Sequence, residues 1–132
     1  MLSSSFDFTD FRFSKNHLWI KEIENYSAII GVTDFLTDLL GEIIFIDLPE
    51  KQWEFHIEED LLILESASQL YKISTPLTCE IEDINYDVLD NPLVVNENPY
   101  EEGWLCVIDI KSRFEFEDLL TKEVYEEYLM GI

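Results

Sequence analysis

The chain reads as a mainly β protein, a small sandwich or barrel decorated by a few short helices. Short runs rich in β-branched and aromatic residues recur at close intervals, and the apolar period turns helical only in one internal segment and in the tail. The 132 residues, 47% apolar and 14% aromatic, suffice for one real core.

His17 to Glu22 and Tyr26 to Val32 carry β-branched and aromatic side chains and break at Glu24-Asn25, which predicts a first hairpin. Thr33 then offers a helix N-cap, Asp34 suits the first turn, and Phe35, Leu36, Leu39 and Leu40 form an apolar stripe that Gly41 can close. Glu42 to Leu48 is nearly all apolar and is halted by Pro49, the pattern of a strand buried on both faces, and Asp60 to Leu64 repeats that character. Further strands are predicted at Cys79 to Ile84 and Trp104 to Ile110. After Lys111 the period lengthens: Thr121 stands as a cap, and Val124, Tyr125, Tyr128 and Leu129 recur at helical spacing.

No Gly/Ser/Pro-rich linker and no solenoid-type repeat divides the chain, so residues 1–132 read as one domain, with 1–10 a poorly defined N-terminal segment. Eight basic against 29 acidic residues give a formal net charge of -21, which disfavours nucleic acid and anionic membranes and favours a basic protein surface. Simple solubility is the plainer meaning of the same charge. The two cysteines, Cys79 and Cys106, are too far apart for a thiol redox or zinc motif and read as free, buried thiols. Neither a secretory signal nor a membrane-length apolar run stands out, so a cytoplasmic location is expected.

Catalytic chemistry finds little support. A nucleophilic triad would have to use His17 or His56, and there is no nucleophile elbow and no oxyanion-loop glycine pattern. The acid-rich Glu58-Glu59-Asp60 lacks the glycine and spacing of a calcium loop, so no metal site is predicted. The expectation is a protein that is not an enzyme.

One ordered set of motifs carries more information. Leu64-Glu65-Ser66-Ala67-Ser68-Gln69-Leu70 leads to Thr75-Pro76-Leu77-Thr78 and on to Asn96-Glu97-Asn98-Pro99-Tyr100-Glu101-Glu102-Gly103-Trp104-Leu105. Upstream stand His17-Leu18-Trp19, Gly31-Val32-Thr33-Asp34, Leu40-Gly41-Glu42-Ile43 and Phe45-Ile46-Asp47-Leu48-Pro49, and the chain closes on Tyr125-Glu126-Glu127-Tyr128-Leu129. From about Phe11 to Leu129 this resembles the glycine cleavage H-protein family. The resemblance implies a barrel-sandwich hybrid of the lipoyl-domain kind, with a short internal helix, C-terminal helices, and a hairpin between a strand ending near Glu65 and one beginning near Leu70.

In that family a Glu-Ser pair precedes by two residues the lysine that carries lipoate, and here that position is Ser68. A lipoyl amide requires an amine, whereas a serine hydroxyl could give only an ester. By this resemblance no lipoate cofactor is expected. The implied partners are glycine decarboxylase, aminomethyltransferase, dihydrolipoyl dehydrogenase or a lipoate-attaching enzyme, met through a surface of His17, Glu65, Ser66 and Ser68. The alternative is a working carrier that shuttles an aminomethyl group on lipoate held by Lys72 or another amine. Lys72 sits on the same side of an extended strand as Ser68 but roughly 13 Å along it at ~3.3 Å per residue. A phosphopantetheine arm on Ser68 is disfavoured because such serines begin helices. A third reading is a catalytic or small-molecule-binding domain that reuses the vacated cavity.

Other departures lie outside the core. Gln52, Cys79 and Glu101 stand where the family usually shows turn glycines, so reshaped or strained loops are expected there. Leu18 replaces the family's common acid. His17, which in the family lines the surface sheltering the loaded arm, has a second reading as a packed histidine, and Trp104 and Tyr100 read as core and turn anchors.

Overall fold

The computed structural model describes residues 6–132. Among the described residues nine strands form two antiparallel sheets. The larger has the order β1-β2-β3-β9-β8-β5, from β1 (Phe11–Phe13), β2 (Leu18–Glu24), β3 (Ser27–Val32), β9 (Cys106–Ile110), β8 (Cys79–Ile84) and β5 (Glu54–Phe55). The smaller has β6 (Asp60–Ser66) between β4 (Ile43–Asp47) and β7 (Leu70–Ser74).

The first hairpin forms as its composition predicts, Ile20 opposite Ile30 and Trp19 opposite Gly31. Alternation along β2 sends Leu18 and Ile20 into the main core and Trp19 into a second cluster on the other face. That second cluster holds Phe8, Phe11, Phe13, Trp19, Tyr125 and Leu129. Phe6 and Phe8 both pack edge-on against Phe11, and of the N-terminal segment 1–10, residues 1–5 lie outside the described part.

Helix α1 (Asp34–Leu40) closes as anticipated, with Gly41 at φ 79° and its N–H on the Thr37 carbonyl. Its start differs. Thr33 makes no side-chain cap, because its hydroxyl is engaged by Tyr125, and the Asp34 N–H donates instead to the Tyr100 hydroxyl at 3.1 Å. The strand expected to be buried on both faces is an edge strand: Ile44 and Phe45 of β4 are exposed, since helices α2 (Tyr86–Asp90) and α3 (Leu93–Glu97) pack against β4 without covering that face. Apolar content alone does not separate an edge strand with one bare face from a central one.

The tail is helical, in α4 (Arg113–Glu117) and α5 (Lys122–Met130), and the Thr121 hydroxyl accepts from the Val124 N–H at 3.3 Å as predicted for a cap. A two-bond bridge between Phe13 and Leu120 anchors this tail to β1, and Tyr125 stacks on Phe13 at 4.8 Å. Of the three positions where reshaped turns were expected, only Gln52 takes a left-handed conformation, at φ 72°. Cys79 is a buried first residue of β8, and Glu101 sits in a turn with no positive φ.

Candidate functional site

The hairpin of β6 and β7 is the feature the sequence singled out. Glu65 pairs with Leu70, and the Ser66 N–H donates to the Gln69 carbonyl at 2.9 Å, which leaves Ala67 and Ser68 as the two turning residues. Neither has a positive φ, so the turn does without the glycine or asparagine that primed hairpin turns favour. Both side chains are exposed, and the Ser68 hydroxyl lies 3.4 Å from that of Ser66.

Strand pairing sorts the flanking side chains. Phe45, Glu65 and Leu70 form one row across the small sheet, and Phe45 (54% exposed) and Leu70 (55%) leave an apolar rim around the Glu65 carboxylate. Ser66 points inward and is buried. Two of the four residues expected on the surface, Glu65 and Ser68, are therefore accessible at the tip.

His17 is the fourth, and it is buried. It sits in the turn before β2 at φ 74°, its ring against Phe35 at 4.6 Å, and its Nδ1 is 2.9 Å from the Tyr125 hydroxyl. That hydroxyl also meets Thr33 Oγ1 at 2.8 Å, so one phenol joins the turn, the entry to α1 and the last helix. Burial disfavours the imidazolium and lowers the His17 pKa, and it raises that of Tyr125, so both are neutral at pH 7. The packed-histidine reading describes this geometry. His17 lies in the turn before β2, not on the strand that carries Trp19, whose indole N–H donates to the Pro99 carbonyl at 3.0 Å. Tyr125 as the partner of His17 was beyond sequence reading; its only signal is its place on the apolar stripe of α5.

Lys72 is exposed on β7 and stands in one row with Ile63 and Asp47. It makes no ion pair among the described residues. It lies away from the turn, on the wall of a groove of about 330 Å³ that also includes Trp53, a residue the sequence did not single out. Both cysteines are free and buried, and burial pushes the Cys79 thiol up to about 11. No group of three His, Cys, Asp or Glu side chains suited to a metal ion occurs among the described residues. No helix among them is long and apolar enough to cross a membrane.

Two antiparallel sheets around one core, with a two-residue hairpin turn exposed at one end and helices closing the other face, define a barrel-sandwich hybrid of the lipoyl-domain type. A crystal structure of a glycine cleavage system H protein from Mycobacterium marinum has the same fold, with a TM-score of 0.83 over 93% of this chain and 98% of that one at 23% identity. The family model described as glycine cleavage H-protein matches residues 11–132, and the chain belongs to that family. Among curated relatives, the glycine cleavage system H protein of Halothermothrix orenii is 39% identical over 117 residues, 89% of this chain and 91% of its own length. That of Bacillus subtilis is 37% identical over 118 residues, covering 89% and 92%.

Proposed function

We propose that this protein is an H-like member of the glycine cleavage family that carries no lipoate and works through protein contacts. It binds, competes for or regulates glycine cleavage or lipoate-metabolism enzymes. The supporting observation is the turn itself: the exposed side chain at the position where the family motif calls for the modified lysine is the Ser68 hydroxyl. At neutral pH that hydroxyl is un-ionised, and among the described residues its one side-chain hydrogen-bond partner is Ser66, not a base. The rim of Phe45, Glu65 and Leu70 is then what a partner reads, with Ser66 buried beside it and His17 holding the turn before β2 against α5. Glycine decarboxylase, aminomethyltransferase, dihydrolipoyl dehydrogenase and a lipoate-attaching enzyme are the candidate partners. The reading places the protein outside catalysis and in the cytoplasm.

A second reading has one specific observation in its favour. Lys72 is an exposed amine free of ion pairs among the described residues, which is the state an acyl-transferring enzyme needs. Lipoate on Lys72 would make the chain a carrier of an aminomethyl group. Intact mass of the protein isolated from its own cells separates the two. The unmodified mass, with one of these enzymes co-purifying, supports the contact role; an increment of one lipoyl group overturns it, and peptide mapping then tells whether Lys72 holds the group.

A further inference from the structure

The groove beside Lys72 belongs to the end of β6 opposite the Ser68 turn, so it is distinct from the hairpin tip. Its floor is apolar, made by Leu48, Pro49, Phe55 and Ile63, and its wall is Trp53, 52% exposed. The loop that carries this indole is fixed: the Gln52 N–H donates to the Ile81 carbonyl at 2.8 Å, and the Ile81 N–H donates to the Trp53 carbonyl at 2.9 Å. Two backbone bonds to β8 fix the segment that carries the ring before any partner arrives, which reduces the backbone ordering cost of covering it. An indole with half its surface in water also gains by being covered.

A second groove of about 310 Å³ shares Leu48, Pro49 and Glu50 with the first and continues it to Tyr86 and Leu89 on α2, both exposed. The two form one apolar trough between the indole and the helix. Its charges are mostly negative. Asp47, Glu50 and Asp60 line it against Lys72, while Lys51 is already engaged by Asp83 at 3.5 Å and lies over the Tyr86 ring. With the whole chain at -21, a second copy of itself, nucleic acid and anionic lipid are all repelled from this face.

The geometry points to this trough, from Ile63 past Trp53 to Leu89, as the docking site for a partner-protein segment that carries leucine-like side chains interspersed with lysine or arginine. Apolar groups of the segment cover Trp53 and Tyr86, and its cations meet Asp47, Glu50 and Asp60. No part of the trough is the Ser68 turn, and because Lys72 lines it the inference rests on the reading in which Lys72 is unmodified.

The probe is a random library of 12-residue peptides displayed on phage and panned against the full chain, with Trp53→Arg as counter-selection. Enriched sequences are expected to combine Leu, Ile or Phe with Lys or Arg. Synthetic versions should shift Trp53 emission to the blue and bind with an affinity that falls as salt rises. Trp53→Ala should weaken them about tenfold, as for a central aromatic anchor. Asp60→Lys, a surface change that leaves the apolar floor intact, should weaken them several-fold. Absence of enrichment, acidic or purely apolar consensus, equal binding to Trp53→Arg, or a dimer of the free chain that already covers Trp53 would each overturn the proposal.

Discussion

The hydroxyl of Tyr125 lies 2.9 Å from Nδ1 of His17, joining the turn before β2 to the C-terminal helix across 108 residues of sequence. Because the phenol also meets Thr33 at 2.8 Å, Tyr125→Phe leaves two buried polar atoms without their partner. The expected cost is about 1–3 kcal/mol, read as a drop in the urea midpoint. The pH dependence has a definite sign. His17 is lowered by desolvation, so the unfolded chain binds its proton more readily than the folded one. Its contribution is therefore complete above the ordinary imidazole value of 6.5 and is lost as pH falls below it. Denaturation at pH 7.5 and 5.5 should show less loss in His17→Gln than in the parent.

Gly31 faces the Trp19 ring across the β2-β3 pair, and a Cβ there would come within 2.3 Å of the indole. Gly31→Ala should cost about 1–3 kcal/mol through overpacking. Trp19→Phe in the same chain should recover part of that loss if the clash with the larger ring is the cause. A double-mutant cycle measures the coupling, and additive losses would count against it.

Gln52 and Cys79 make opposite predictions although both depart from glycine in the same motif set. Gln52 is left-handed, so Gln52→Gly should stabilise by up to about 1 kcal/mol, less whatever the freer unfolded chain takes back. Cys79 begins a strand with its side chain buried, so Cys79→Gly should destabilise by about 1–2 kcal/mol. Thermal melts of the two variants are expected to move in opposite directions.

Ser68→Lys places an amine at a turn whose φ angles any L side chain can adopt. Incubation with a lipoate ligase, lipoate and ATP should give a mass increase in the variant and none in the parent. A variant that folds and remains unmodified would place the divergence in the whole recognition surface, Phe45 and Leu70 included.

The two thiols should be silent in the native state. Cys79 is pushed up to about 11 and Cys106 is raised further by complete burial, so at pH 8 thiolate is scarce and access is blocked. Alkylation by iodoacetamide should be negligible in buffer and should reach both residues in 6 M guanidinium.

Much of this arrangement was legible because the signals are local. β-Branched and aromatic enrichment broken at Glu24-Asn25 marked β2 and β3, Thr33 and Gly41 bracketed α1, and Thr121 marked the start of α5. The hairpin turn was visible only through the order and spacing of the family motifs, since Ala67-Ser68 carries no turn chemistry of its own. What stayed hidden depends on long-range partners. The three-residue β1 and two-residue β5 are too short to carry a period, and the bare face of β4 follows from where α2 and α3 dock. The union of His17, Thr33 and Tyr125 is likewise tertiary, as is the exposure of Trp53.

The central pairing of the larger sheet joins Ile30 to Cys106, and Phe13 waits for Leu120. Such distant closures carry a large loop entropy before they return any contact, so folding should be slow for a domain of this size, on the order of milliseconds to seconds. The β6-β7 hairpin is local and can form early. During that interval its bare Leu70, joined by Phe45 once β4 pairs with β6, is the surface a chaperone would meet first, well before the larger sheet has closed.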